Sequence, residues 1–282
     1  MNQFYINSNE AIIRGDEPSI LCTNRGFRYG DALFESIRMV NGKIQFLTEH
    51  LHRLKTGMQI LKMEIPEKFD EEYFTHQILQ LNEKNSITQD ARIRLTIYRN
   101  DAGFYAPVTN EVSFVIESEN IDAHGYLLNV KGLIIDVYME TKKALNTLST
   151  IKSANCLVYI LAAIYKNQQH LDECIILNEK GNIAEVVSSN IFAVKNGVLY
   201  TPPITEGCIN GVMRQQIIKI ARENKNAVYE TSVALNVLLN SDEIFITNAI
   251  SGIRWVGAYK GKRYFNNTSK LLLEKLNLSL VQ

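Results

Sequence analysis

Cysteine is scarce: Cys22, Cys156, Cys174 and Cys208 are the four among 282 residues, far apart and without a C-x-x-C pair. That spacing excludes a zinc knuckle and a thioredoxin-type motif, and reduced, buried thiols are expected instead. Charge of one sign is equally absent, because thirty Lys+Arg balance thirty Asp+Glu. No nucleic-acid partner is therefore expected, although a local basic pocket for a small anion stays open. The longest apolar run, Leu157 to Tyr165, falls far below the roughly 20 residues of a membrane span. The opening stretch, MNQFYINSNEAIIRGDEP, lacks the basic and apolar regions of a secretory signal. A cytoplasmic protein with no membrane partner is expected. The histidines at 50, 52, 76, 124 and 170 are scattered, and His50 and His52 cannot share a helical face, so no metal is expected. A P-loop, which needs GxxxxGK[ST], is also missing.

What remains is an ordinary globular composition, 46% hydrophobic and 21% charged. Its length suits one large domain or two modest ones at roughly 150 residues each. The first part reads as two hairpins, Phe4 to Ile6 with Ala11 to Ile13, and Leu33 to Val40 with Lys43 to Phe46 across Asn41-Gly42. Thr48 is an N-cap candidate for an amphipathic helix carrying Leu51, Leu54, Met58 and Leu61 and ending by Pro66. A helix over Phe69 to Lys84 and strands Ala91 to Arg99 and Val112 to Glu117 follow. The polar stretch after Glu117 is the candidate linker. This divides the chain into a smaller domain over 1–117, a linker over 118–125 and a larger domain over 126–282. In the larger domain Tyr126 to Tyr138 is β-rich, and an apolar helix follows Lys152 with Leu157, Ile160, Leu161 and Ile164 as its stripe. Cys174 to Leu177, Ile183 to Val187, Ile191 to Val194 and Val198 to Thr201 read as a meander. Asn210-Gly211 leads into a helix through Arg222, and a strand, Glu243 to Thr247, precedes a last helix from Ser269 to Leu276.

Three features could carry chemistry. Lys152 stands before an apolar helix, where the backbone dipole disfavours a cation by roughly 0.3 to 1 kcal/mol and so lowers a lysine pKa. A partly neutral lysine can attack an aldehyde or act as a base, and the position equally suits a solvated lysine. Glu185 lies on the apolar face of the strand Ile183-Ala-Glu-Val-Val187, so it is either exposed on an edge or paired with a buried cation such as a pyridinium nitrogen. Asn210-Gly211-Val-Met-Arg214 places a glycine turn before a helix, where free N–H groups bind phosphate, or serves as plain turn chemistry. Arg53 could add a bidentate cation. A lysine, a carboxylate and a phosphate cradle together match the needs of pyridoxal phosphate.

Five segments carry a family resemblance in order: Arg25-Gly-Phe-Arg-Tyr-Gly-Asp-Ala-Leu-Phe-Glu-Ser-Ile-Arg38, Glu49-His-Leu-His-Arg-Leu54, Ile151-Lys-Ser-Ala-Asn155, Ile183-Ala-Glu-Val-Val-Ser-Ser-Asn-Ile-Phe192 and Gly211-Val-Met-Arg214. They resemble the class IV aminotransferases of pyridoxal phosphate fold type IV, a family that includes branched-chain aminotransferases, D-amino acid aminotransferases and aminodeoxychorismate lyases. The resemblance implies a two-domain α/β (α+β) protein like the D-amino acid aminotransferases, with the cofactor in the interdomain cleft of a homodimer. It makes Lys152 the Schiff-base lysine and Glu185 the partner of the ring nitrogen. Arg53, Ser188, Asn248 and the amides of Val212 and Met213 would complete the cofactor contacts. Asn248 stands where the family usually has a hydroxyl. Tyr29, Phe34, Arg38, Arg99 and Ala249 would face a small amino acid substrate.

Three activities are implied in turn. Phe34-Glu-Ser-Ile-Arg38 resembles the branched-chain subgroup, with Ser36 in place of glycine, and implies transfer of an amino group to 2-oxoglutarate. Asn210-Gly-Val-Met-Arg-Gln215 and Arg99-Asn-Asp-Ala-Gly103 resemble the lyase, which releases pyruvate and p-aminobenzoate. The D-amino acid subgroup needs a basic pair where this chain has Phe104 and Ala106. A binding protein that has kept the fold without the chemistry is the remaining alternative, and the presence of both Lys152 and Glu185 opposes it.

Overall fold

The computed structural model describes residues 4–122 and 125–280, and the chain divides into two compact units. The first comprises Met1–Gly125 together with Ile151–Asn155. The second comprises Tyr126–Thr150 and Cys156–Gln282. Of the expected linker over 118–125, residues 118–120 continue a strand, and Ala123 and His124 lie outside the described residues.

The first unit is an antiparallel sheet covered by helices. Its elements are β1 (Tyr5–Ser8), β2 (Ala11–Arg14), α1 (Arg25–Tyr29), β3 (Ala32–Val40), β4 (Lys43–Ile44), α2 (Leu47–Ile60), α3 (Glu71–Lys84), β5 (Ala91–Arg99) and β6 (Val112–Asn120). The strand order is β2-β1-β6-β5-β3-β4. Both expected hairpins form, the second through Asn41 and Gly42 at φ 49° and 76°, the pair of positive values that a two-residue turn between twisted strands requires. Period-two alternation puts Leu33, Ile37 and Met39 of β3 and Ile93, Leu95 and Ile97 of β5 into one core. Leu51, Leu54 and Met58 of α2 and Phe74, Ile78 and Leu81 of α3 cover it at helical spacing. The N-cap of α2 is Phe46 rather than Thr48, whose hydroxyl donates to Glu71 on α3.

The second unit contains β7 (Leu133–Lys143), α4 (Leu157–Gln168), β8 (Glu173–Asn178), β9 (Ile183–Val186), β10 (Asn190–Lys195), β11 (Val198–Thr201), α5 (Val212–Glu223), β12 (Val228–Glu230), α6 (Leu235–Leu239), β13 (Glu243–Asn248), β14 (Gly252–Tyr259), β15 (Lys262–Arg263) and α7 (Asn267–Ser279). The order β12-β11-β10-β13-β14-β7-β8-β9 is mixed, with β7 parallel to both β8 and β14. The expected meander breaks at its middle: β8 pairs with β9 and β10 with β11, but β10 takes β13 as its other neighbour. The segment Gly252–Tyr259 that interposes was not expected as a strand. Among the described residues no helix is long and apolar enough to cross a membrane.

Candidate active site

In the first unit, Lys152 is held by β3. Lys152 O accepts from Phe34 N at 2.9 Å, Ala154 N donates to Ala32 O at 2.9 Å, and Leu33 and Ser153 form an antiparallel bridge. One edge of β3 thus pairs with β5, while the other receives β4 at one end and the lysine segment at the other. This is why Ile151–Asn155 belongs with the first unit and not with the sequence around it. It also corrects the helix-start argument: α4 begins at Leu157 after Cys156, so Lys152 lies more than a turn before it, beyond the reach of the dipole. The Lys152 ammonium sits 4.2 Å from the centroid of the Phe34 ring, and the Arg94 guanidinium lies 3.9 Å from the same centroid.

Glu35 occupies the apolar face of β3 between Leu33 and Ile37, 1% exposed, and meets two residues three apart on α2. Arg53 donates through Nε at 2.8 Å and through Nη2, and His50 Nδ1 lies 2.7 Å from Glu35 Oε2. Burial alone would raise the Glu35 carboxyl, but the Arg53 charge and the bonds from His50 and Arg53 outweigh it and hold the pKa at about 2. Burial lowers the His50 pKa below its ordinary 6.5, which fixes a neutral ring that donates from Nδ1 to Glu35. His50 Nε2 is buried with no hydrogen-bond partner among the described residues.

The other first-unit candidates are held firmly. Tyr29 ends α1, its ring tilted 47° to that of Tyr105 at 5.5 Å and beneath the Arg25 guanidinium at 5.2 Å. Arg38 pairs with Asp90 at 2.7 Å and also reaches Gly125 O. Arg99 pairs with Asp31 at 2.9 Å and reaches Asn110 Oδ1 and Leu61 O, each at 2.6 Å. Both arginines are struts inside the unit, so neither guanidinium is presented as an open substrate clamp. Asp31 binds Arg25 as well, at 2.9 Å. Arg25 in turn grips the carbonyl oxygens of Ala102, Phe104 and Tyr105 at 3.1, 2.5 and 3.3 Å. Gly30 closes α1 at φ 67°, and a Cβ there would lie 2.7 Å from Asn155 Oδ1, so glycine admits both the turn and the lysine segment.

In the second unit, Glu185 on β9 is 3% exposed. Its Oε1 accepts from Lys143 Nζ and, at 2.7 Å, from the Tyr159 hydroxyl, and its Oε2 accepts from Ile209 N at 3.1 Å. The paired alternative of the sequence reading therefore holds within the protein itself, with Lys143 as the buried cation. Burial, followed by the neighbouring Glu185 charge, raises the Tyr159 phenol far above its usual range, so it remains a donor. Burial likewise pushes the Cys208 thiol up to about 12; of the four thiols expected to be buried, Cys174 and Cys208 are, whereas Cys22 is exposed and Cys156 half-buried.

Ser188, expected beside the cofactor, is exposed and donates to Glu173 Oε2 at 2.9 Å. Its buried neighbour Ser189 receives a bond from Asn248 Nδ2 at 2.9 Å. Asn248 Oδ1 accepts from Ile250 N and Ser251 N at 3.0 and 2.7 Å, so its side chain caps the turn that contains Ala249. Ala249 O accepts from the Tyr126 hydroxyl at 2.8 Å. Val212 and Met213 open α5, which has Gly211 as N-cap and no side-chain cap. A Cβ on Gly211 would fall 2.0 Å from Asn190 Oδ1, while Asn190 Nδ2 donates to Ile209 O at 2.9 Å. Asn190 thus ties the turn before α5 to β10 and leaves the amides of that helix start for an acceptor.

These residues fit pyridoxal phosphate. The Glu185 carboxylate has about four acceptor positions, three of them taken, so Oε2 keeps room for a ring N–H. The Thr247 hydroxyl, 1% exposed and one residue before Asn248 on β13, has no hydrogen-bond partner among the described residues. Lys143, Tyr159, His50 and Ser189 were not expected. A signal existed for His50, three residues before Arg53 on the same helical face. Lys143 had none, because its inward turn depends on a register shift within the β7–β8 pair.

Comparison with known proteins extends these observations. Residues 32–259 match the amino-transferase class IV family. A putative branched-chain-amino-acid aminotransferase of Methanocaldococcus jannaschii is 32% identical over 92% of this chain and 88% of its own. The solved branched-chain amino acid aminotransferase of T.th., complexed with N-(5′-phosphopyridoxyl)-L-glutamate, superposes with a TM-score of 0.86 at 24% identity, over 100% of this chain and 95% of that one. A putative 4-amino-4-deoxychorismate lyase of Legionella pneumophila gives 0.84 at 25% identity, over 94% and 96%. The chain has the two-sheet architecture of fold type IV, and it belongs to the class IV aminotransferases, enzymes that work with pyridoxal phosphate.

Proposed function

We propose that this enzyme transfers the amino group of a branched-chain amino acid to 2-oxoglutarate. The observation that carries the reading is the Phe34-Glu35 pair of β3: one side chain underlies the Lys152 ammonium and the other anchors Arg53 and His50. The similarity to the Methanocaldococcus jannaschii relative supports the same substrate class. Pyridoxal phosphate, when bound, supplies an aldehyde for the amino group and a ring that draws electrons from Cα. Lys152 holds the cofactor and then moves the Cα proton at Nζ. Glu185 keeps the ring nitrogen protonated, and the amides of Val212 and Met213 together with Arg53 neutralise the phosphate. Ser188, Ser189 and Asn248 shape the turns beside it. Tyr29, Phe34 and Ala249 face the substrate, with Arg38 and Arg99 positioning β3 and β5 behind them.

A lyase reading is favoured by two observations, the fixed turn at Asn210-Gly211 and the likeness to the Legionella pneumophila protein. The loaded enzyme should be given L-valine, L-leucine and D-alanine, each with 2-oxoglutarate, and separately 4-amino-4-deoxychorismate. Keto acid and glutamate from the two L-amino acids are expected. Pyruvate with p-aminobenzoate would replace the proposal by the lyase, and turnover of D-alanine alone would overturn both. The assembly proposed is a homodimer in the cytoplasm. Leu157, Ile160, Leu161 and Ile164 form an exposed apolar stripe on α4, a surface of the kind that a second copy covers.

A further inference from the structure

Lys143 is the last residue of β7, and it turns inward where its neighbours do not. Residues 139–142 are exposed, Lys143 is buried, and the register of β7 against β8 shifts between Tyr138 and Lys143. Such irregularities re-aim side chains. Here the shift brings the Lys143 ammonium onto Glu185 Oε1, with the two side chains 7% and 4% exposed. Lys143 Nζ also donates to the Tyr159 hydroxyl at 2.5 Å, and the Tyr159 hydroxyl donates to the same Oε1. Glu185 Oε1 is thus filled from β7 and α4, and Oε2 is aimed by Ile209 N. The buried Cys208 thiol beside the pair feels the Glu185, Arg214 and Lys143 charges.

We infer that Lys143 is a positioning residue for the cofactor, orienting Glu185 so that the ring nitrogen shares this carboxylate with a resident cation instead of having it alone. The inference rests on the assignment of Glu185 to the ring nitrogen. A buried carboxylate stripped of its paired cation is strongly disfavoured, and a protonated ring arriving at Oε2 relieves that penalty. Removing the Lys143 charge therefore penalises the cofactor-free protein more than the loaded one. By the closed cycle of folding and binding, the cofactor must then bind more tightly.

The test uses Lys143→Met, Lys143→Arg, Tyr159→Phe and Glu185→Gln, with the double variant Lys143→Met/Glu185→Gln in case the single glutamine variant does not fold. Cofactor dissociation constants are measured by absorbance, and melting temperatures with and without cofactor. Lys143→Met is expected to bind pyridoxal phosphate about tenfold more tightly and to lose more melting temperature without cofactor than with it. Lys143→Arg and Tyr159→Phe should keep the wild-type difference, since neither removes the charge. Unchanged or weaker binding in Lys143→Met, with equal losses in both forms, would make Lys143 a plain strut and overturn the inference. Wild-type binding in Glu185→Gln or in the double variant would instead remove the assignment of Glu185 itself. If that binding is weakened, the assignment stands and the lysine variant decides.

Discussion

Lys152 and Glu35 show how a single side chain can be tested. Lys152→Ala should lower turnover by at least roughly 10²- to 10⁴-fold, the usual contribution of a positioned proton carrier. A variant that keeps a large fraction of the wild-type rate would remove Lys152 from the chemistry. The Glu35 cluster predicts acid lability in two steps. His50 has a folded pKa below 6.5, so the unfolded chain takes up more protons and stability falls as pH drops through 6.5. Glu35 has its pKa lowered to about 2 from 4.5, so its contribution is complete above 4.5 and is lost as pH falls towards 2. Urea midpoints followed against pH should show both losses, and His50→Gln should remove the upper one; an unaltered curve in that variant refutes the neutral-histidine assignment. Arg53→Ala leaves Glu35 buried without its strongest partner and should cost about 3–5 kcal/mol, read by the same urea titration. The residues of the motifs were legible because their spacing in sequence is their signature. Their buried partners were not, because Lys143 meets Glu185 across forty-two positions through a sheet irregularity that no local pattern encodes.

At the scale of elements, turn chemistry was legible and long-range pairing was not. Asn41-Gly42 declared its hairpin, and the apolar run at Ile183–Val186 declared a strand while leaving the burial of Glu185 open. The apolar stripe read on α4 is real, but Leu157, Ile160, Leu161 and Ile164 point outwards, since the core side of that helix is Ala162 with Val158, Tyr159 and Tyr165. Strand β14 was missed because its sequence, GIRWVGAY, interrupts the apolar alternation with Arg254 and Gly257. Short α1 was missed because five residues carry no periodicity, only the Asn24 cap and the left-handed Gly30. The close approach at Gly30 gives a prediction for the lysine segment. Gly30→Ala imposes left-handed strain on a non-glycine residue and crowds Asn155, and should destabilise the protein by about 1–3 kcal/mol in chemical denaturation. A neutral result would mean that Asn155 moves aside and does not fix Lys152.

For the molecule as a whole, the chain is neutral, and among its described residues no helix is long and apolar enough to cross a membrane. The exposed apolar stripe of α4 carries the prediction at this scale. Ile160→Lys with Ile164→Lys should shift the mass measured by light scattering from dimer to monomer, while each subunit keeps its circular dichroism spectrum. A wild-type protein that is monomeric at micromolar concentration would refute the proposed assembly. The two-sheet layout was legible in outline, because hairpins, helices and turns follow the motif order. The strand order of the second sheet was not, since β7 pairs with β14 across more than a hundred residues.

The grip of Arg25 on the carbonyl oxygens of residues 102–105 has a consequence for how such an enzyme can diversify. The path of that loop is imposed from beneath through its main chain, strongly enough to keep Ala102 at φ 118°. Phe104, Tyr105 and Val108 are each more than three-quarters exposed, and of the three the Tyr105 ring alone is seen against another ring, that of Tyr29. At Phe104 and Val108 loop shape and loop content are therefore uncoupled, so new side chains can be tried there on an unchanged track, whereas Gly103, at φ 76° with Ala106 O 2.2 Å from where a Cβ would stand, is part of the track itself.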